Sequence, residues 1–228
     1  MKFVNHFFDF FLPRFCTACG IKLDANVEFI CRECFAKIKL ADYKFISEEF
    51  NRKFFNDKII TDFHPFFIFE KDNVFQKIIH SIKYSENFRL GIFIGEKIGE
   101  GLKDKIIQWA PDFILPVPLH HLKKAERGFN QSFFIAKGIS KACGVPVKRN
   151  IIKRNRFTPS QTQFNLHERK ENMRGAFVIK RNINLRDKKI ILVDDVITAG
   201  ATISECGKIL LDSGAKKIYA ISAAIADL

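Results

Sequence analysis

A chain of 228 residues with 47% hydrophobic and 28% charged residues has the composition of an ordinary globular protein, which excludes disorder over most of its length. At ~100–200 residues per domain, it holds one full domain and an appendage. The net charge of +13 is concentrated, because residues 120–189 hold 18 of the 38 Lys and Arg but four of the 25 acids. A single basic segment points to a polyanionic ligand or a nucleic-acid face rather than to general stickiness.

Phe3, Val4, Phe7, Phe8 and Phe11 fall at helical spacing and predict a short amphipathic helix, either docked on the body or touching a membrane surface. No apolar run reaches the ~18–20 residues that cross a bilayer. No membrane span is therefore expected, and the chain reads as cytoplasmic. Next come Cys16, Cys19, Cys31 and Cys34, two Cys-x-x-Cys pairs. Each pair turns two sulfurs toward one point, and two such knuckles complete a tetrahedral cage for Zn2+. Four sulfurs leave no open position, so the metal would be structural. The competing readings are a redox pair or fortuitous cysteines; disulfides fit less well without a signal peptide. Gly20 suits the tight turn of a knuckle. Cys143 and Cys206 sit alone on helical patterns and read as small apolar residues.

Residues 36–62 show no clear period and read as the tail of the zinc-ribbon-like module and a connector. The expected division is 1–62 for helix, module and connector, and 63–228 for the main domain. From Phe63 the pattern sharpens. Strands are predicted at 63–69, 113–117, 177–179, 190–193 and 218–224. Helices are predicted from Val74 to Ile82, over 88–103, from Phe133 to Ala142 with Gly144 as its stop, after Asn165, and over 201–212. Alternating strands and helices predict an α/β fold with a mainly parallel sheet flanked by helices.

The chemistry concentrates at Ile190-Ile-Leu-Val-Asp-Asp-Val-Ile-Thr-Ala-Gly-Ala-Thr202. A strand runs into Asp194 and Asp195, then into a loop of Thr198, Ala199, Gly200, Ala201 and Thr202, then into a helix. Ligands of open α/β sheets bind beyond the carboxyl ends of strands. Small residues let the backbone approach a phosphate, and the helix N-terminus supplies free N–H groups. The two carboxylates repel that phosphate and call for hydroxyls or a metal. A ribose 5-phosphate meets both demands. The bland alternative is a surface loop that simply needs small residues.

A second block, Pro116 to Gln131, follows another strand and brings Pro118, Leu119, His120, Lys124, Arg127 and Gln131 to a pyrophosphate-binding loop. A third, with Arg156, Gln161 and Arg169, is a basic loop able to close over a diphosphate and exclude water. Most of the other cations in the segment read as solvated surface charge.

The acid pair and its loop resemble the phosphoribosyl diphosphate signature of type I phosphoribosyltransferases, with Ala199 in place of the commoner Thr. Taken in order, the Cys pairs, Lys83-Tyr84, Pro116-Val-Pro-Leu-His120, Arg127-Gly-Phe-Asn-Gln131, Gln161 with Arg169 and Asn172, and Val193 to Thr202 resemble the ComF family of competence-associated proteins. The resemblance implies a type I phosphoribosyltransferase-like domain behind a zinc-ribbon-like module. It also implies phosphoribosyl diphosphate or a nucleotide as ligand, with Mg2+, and a part in uptake of single-stranded DNA alongside other competence proteins. Lys2 stands where the glutamine-using purine enzyme carries its catalytic Cys, so no source of glutamine-derived ammonia is visible. Two classes stay open: a DNA-handling competence factor that binds phosphoribosyl diphosphate, and a transferase of nucleotide or base metabolism. No general base and no acceptor are legible.

Overall fold

The computed structural model describes residues 13–24, 26–85, 87–156, 166–180 and 183–226, giving only the backbone at 166, 167, 169 and 170. The predicted N-terminal amphipathic helix therefore lies outside the described residues. In chain order, the α-helices among the described residues before the first strand are α1 (Arg32–Ala36) and α2 (Tyr43–Lys53). Then come β1 (Asp62–Phe69), α3 (Val74–Tyr84), α4 (Phe88–Gly101), α5 (Lys103–Trp109) and β2 (Phe113–Pro116). α6 (His121–Arg127), α7 (Gln131–Cys143) and β3 (Ile152–Arg154) follow. The rest is α8 (Leu166–Met173), β4 (Phe177–Ile179), β5 (Lys189–Ile197), α9 (Ala201–Asp212) and β6 (Lys217–Ala226).

Several elements differ from the sequence expectation: α1, α5 and β3 were not predicted, and two stretches read as irregular are helical. Residues 43–53, read as connector, form a helix whose N-cap Asp42 accepts from the Phe45 N–H. Its apolar face is short, which hid the period. Residues 121–127, read as loop, form α6 with His120 as N-cap.

The main sheet has the order β1-β6-β5-β2, and every pair in it is parallel. Successive side chains alternate between faces. Ile191, Val193, Tyr219 and Ile221 enter the core under α3, α4, α5 and α7, while Ile190, Leu192, Ile218 and Ala220 enter the other, under α9. A parallel sheet buried on both faces needs such continuous apolar strands. β3 and β4 form a separate antiparallel pair.

Helices α4 and α7 meet backbone to backbone. A Cβ on Gly138 would lie 2.1 Å from the Ile92 carbonyl oxygen, and one on Gly95 2.1 Å from that of Ile135. Glycine is required at this crossing because no side chain fits between the two backbones. The contact fixes the start of α7, and with it Gln131 and Ser132, against the end of β5.

The cysteine module is not a separate bead. Leu40 bridges β1 at Phe67, and the Ala41 N–H donates to the Phe66 carbonyl at 3.0 Å. Phe29 and Phe35 pack their rings on Phe93, with centroids 5.5 and 6.4 Å apart. Phe54, between the module and β1, is buried in the second core beside Phe63. The N-terminal third thus shares both cores of the main domain.

Candidate functional site

β5 runs through the acid pair to Ile197, past the predicted strand end at 193. Val193 is fully buried, and the next two residues are the half-buried Asp194 and Asp195. Asp194 accepts from the Ser132 hydroxyl at 3.0 Å and from the Asp195 N–H at 2.9 Å. Asp195 accepts from the Val196 N–H at 2.8 Å and pairs with Lys83 Nζ at 2.9 Å. The two acids are therefore in different electrostatic states. Burial and the adjacent Asp195 charge push Asp194 up to about 7. Burial acts on Asp195 as well, but Lys83 overrides it and holds that carboxyl below the usual range. Perturbed acids of this kind cluster at functional sites and make this pair a candidate for one.

The loop after the acids turns at Gly200, whose φ of 75° opens α9 with no side-chain cap. Thr198 is exposed, Ala199 and Ala201 are buried, and Thr202 is half-buried. The first N–H groups of α9 thus have no capping side chain. Behind the loop stands the connector: a Cβ on Gly200 would meet the Phe54 ring at 2.7 Å. The buried Lys53 pairs with Glu49 at 2.9 Å on the same helix.

Facing the acids across β2 is the second predicted block. Arg127 lies over the Tyr84 ring at 5.5 Å, and its Nη1 donates to Gln131 Oε1 at 3.4 Å. Gln131 Nε2 and Arg127 Nε are buried donors with no partner among the described residues. Two orphan donors next to the acid pair are what an anionic ligand would satisfy. Asn130 ties α7 to the loop by donating to the Val117 carbonyl at 2.9 Å. His120 is buried, and desolvation together with neighbouring His121 and Arg154 lowers its pKa. Pro118 and Leu119 are half-buried and Lys124 is exposed. Arg156 donates to the Asn172 and Arg174 carbonyls at 2.6 and 2.8 Å, at the end of α8. Arg169 lies on α8, and Gln161 lies outside the described residues.

Sequence reasoning assigned no role to Lys83 or Ser132, the direct partners of the acids. Lys83 was visible only as half of the Lys83-Tyr84 pair, and Ser132 only as the residue after Gln131.

The four cysteine sulfurs lie within 4.8 Å of one another, and Cys19 and Cys31 are 3.8 Å apart. A tetrahedral site with metal–sulfur bonds of ~2.3 Å has edges of ~3.8 Å. The Cys31 and Cys34 N–H groups donate to the Cys16 and Cys31 sulfurs, each at 3.4 Å. Gly20, at φ 75°, closes the first knuckle with its N–H on the Cys16 carbonyl at 2.9 Å. Burial raises the Cys16 thiol, yet the surrounding N–H and thiol donors bring it down to about 6. The donor set fits a metal ion.

Residues 127–227 match the phosphoribosyl transferase domain family. Together with the parallel sheet and the cysteine cluster, this defines a type I phosphoribosyltransferase-like α/β domain carrying an N-terminal four-cysteine module. Within that class the ComF resemblance stands. The chain is similar to Competence protein F of Haemophilus influenzae, with 35% identity over 109 residues, 47% of this chain and 48% of that protein. It is also similar to DNA utilization protein YhgH of Escherichia coli strain K12, with 32% identity over 108 residues and 47% of each chain matched. The matched stretch thus spans about half the length of these relatives. Among solved structures, purine phosphoribosyltransferase from Pyrococcus horikoshii Ot3 aligns at 22% identity and TM-score 0.38, covering 58% of this chain and 74% of that one.

Proposed function

We propose that the chain binds phosphoribosyl diphosphate and serves the handling of single-stranded DNA during natural transformation, in the cytoplasm, with Zn2+ as a structural ion on the four cysteines. The ligand reading is carried by one juxtaposition. The acid pair, the uncapped loop 198–202, and the orphan donors of Arg127 and Gln131 all surround the carboxyl ends of β2 and β5. Asp194 and Asp195 would accept from the ribose hydroxyls. The N–H groups of 199–202 and the hydroxyls of Thr198 and Thr202 would hold the 5-phosphate. Arg127 and Gln131 would take the diphosphate. Mg2+, when bound with the diphosphate, supplies charge neutralisation near the acids. Lys83 orients Asp195 and keeps it ionised at neutral pH.

Phosphoribosyl diphosphate with Mg2+ is expected to raise the melting temperature, since it binds only the folded state. Asp194→Asn combined with Asp195→Asn should abolish that shift while leaving a folded apo-protein. A full shift in the double variant would overturn the site assignment.

The DNA role is supported by the printed names of the similar proteins and by the charge concentrated in residues 120–189. Its test is a salt titration with a short oligo-dT. Affinity should fall by ~0.7 log unit per phosphate contact for each log unit of salt. Pyrophosphate release with bases or amines, alongside no oligonucleotide binding at low salt, would favour the plain transferase instead.

A further inference from the structure

A cavity of about 290 Å³ opens beside the site, and its charge is one-sided. Lys124, Arg149, Lys153, Arg154 and Lys180 line it with the ring of Phe133, and no Asp or Glu lines it among the described residues. These cations come from three places in the chain: α6, the β3 arm and the residue after β4. Asn150, at φ 64°, turns the chain between the Val147 bridge on β2 and the start of β3. Arg149 stacks on Phe133 with its guanidinium carbon 3.9 Å from the ring centroid. That contact holds the cation over the cavity and covers one face of the Phe133 ring.

The cavity is distinct from the acid-pair site, although the two share the Pro116–Leu119 turn and Lys124. None of Asp194, Asp195 and residues 198–202 lines it. Adjacent positions of a helix differ by ~100°, so Gln131 and Phe133 leave α7 in nearly opposite directions. Gln131 meets Arg127 on the side of Tyr84, whereas Phe133 meets Arg149 on the cavity side. A concavity lined by one sign of charge focuses its field and concentrates counter-ions. Convergence of cations on one hollow suits a compact anion, whereas a strand backbone is met by a track of them. The volume is at the low end of the ~300–1,000 Å³ of small-molecule pockets, enough for a short phosphate chain.

We propose that this cavity binds the phosphate chain of a di- or triphosphate, free or as the tail of a nucleotide. The proposal does not rest on the phosphoribosyl diphosphate reading, and its test keeps the two apart. Inorganic tripolyphosphate, titrated calorimetrically into the full metal-loaded chain, should bind in the presence of saturating phosphoribosyl diphosphate and Mg2+. Arg149→Ser, Lys153→Ser and Lys180→Ser together should weaken it at least tenfold while the thermal response to phosphoribosyl diphosphate survives. These three are exposed and outside the acid-pair site, and a matching apo melting temperature checks the fold. Lys180→Glu alone should weaken it in the same direction. ATP binding as tightly as tripolyphosphate marks the bare chain as the recognised group, and tighter binding marks a nucleotide; either supports the proposal. Absence of tripolyphosphate binding would overturn it. So would binding that phosphoribosyl diphosphate displaces or the triple variant retains, or an oligonucleotide as the sole ligand lost on substitution.

Discussion

Asp194 shows how one residue carries a cost that a ligand can lift. Its carboxyl is pushed up to about 7 by burial and by the charge on Asp195. An acid with a raised pKa in the folded state stabilises the fold below its unfolded value and loses that contribution as pH rises through the folded value. Between about pH 4 and 7, the apo-protein should therefore become more stable on acidification because of Asp194. In Asp194→Asn this slope should be missing, and the variant should melt above the parent at pH 8 and converge with it near pH 4. Melting curves across pH read the difference directly, and parallel profiles for parent and variant would refute it. Lys83 acts in the opposite sense on Asp195, so the pair is held as one neutralisable acid beside one fixed anion.

At the scale of elements, two glycines place the ligand loop and its floor. Gly138 lets α7 lie against α4, and a methyl there would collide with the Ile92 carbonyl. Gly138→Ala should cost on the order of 1–3 kcal/mol by overpacking, or about 2–4 °C per kcal/mol in a domain this size. It should also weaken phosphoribosyl diphosphate binding, because Ser132 and Gln131 start the same helix. Gly200→Ala meets both a left-handed φ and the Phe54 ring. Phe54→Leu should recover only part of its loss, as the φ penalty remains. Calorimetric melting of the single and paired variants checks both. Helix α2 belongs to this argument: it carries Phe54 to the back of Gly200, so the connector supplies a wall of the site.

For the whole molecule, the sharing of cores predicts how metal loss propagates. Cys31→Ser should release one metal ion per chain and relax the knuckles. Since Phe29 and Phe35 pack on Phe93, and Leu40 bridges β1, the main transition should fall as well. Two independent transitions, with the second unchanged, would show the module to be autonomous. Metal analysis under reducing conditions and a calorimetric scan of the parent and variant decide it.

What could be read from the chain alone was whatever neighbours in sequence decide. The Cys-x-x-Cys knuckles, the apolar run into Asp194-Asp195, the small residues of 198–202 and the 3.6-residue periods of α3, α4, α7 and α9 depend on local spacing, and all were visible. The motif order also carried the ComF resemblance. The helices that escaped have a weak local signal: α2 is mostly polar, with Phe45 and Phe50 on the second core, α5 is a seven-residue continuation of the stretch read as 88–103, and α6 is seven residues of exposed and half-buried side chains. The partners of the acids were not legible. Ser132 is 62 positions from Asp194, and no local rule selects it or Lys83 from the other hydroxyls and lysines. The same holds for the all-basic cavity, whose cations were visible only as a charged segment. Periodicity states which face of an element is buried, but only packing the elements around the parallel sheet determines which buried faces, and which charges, meet.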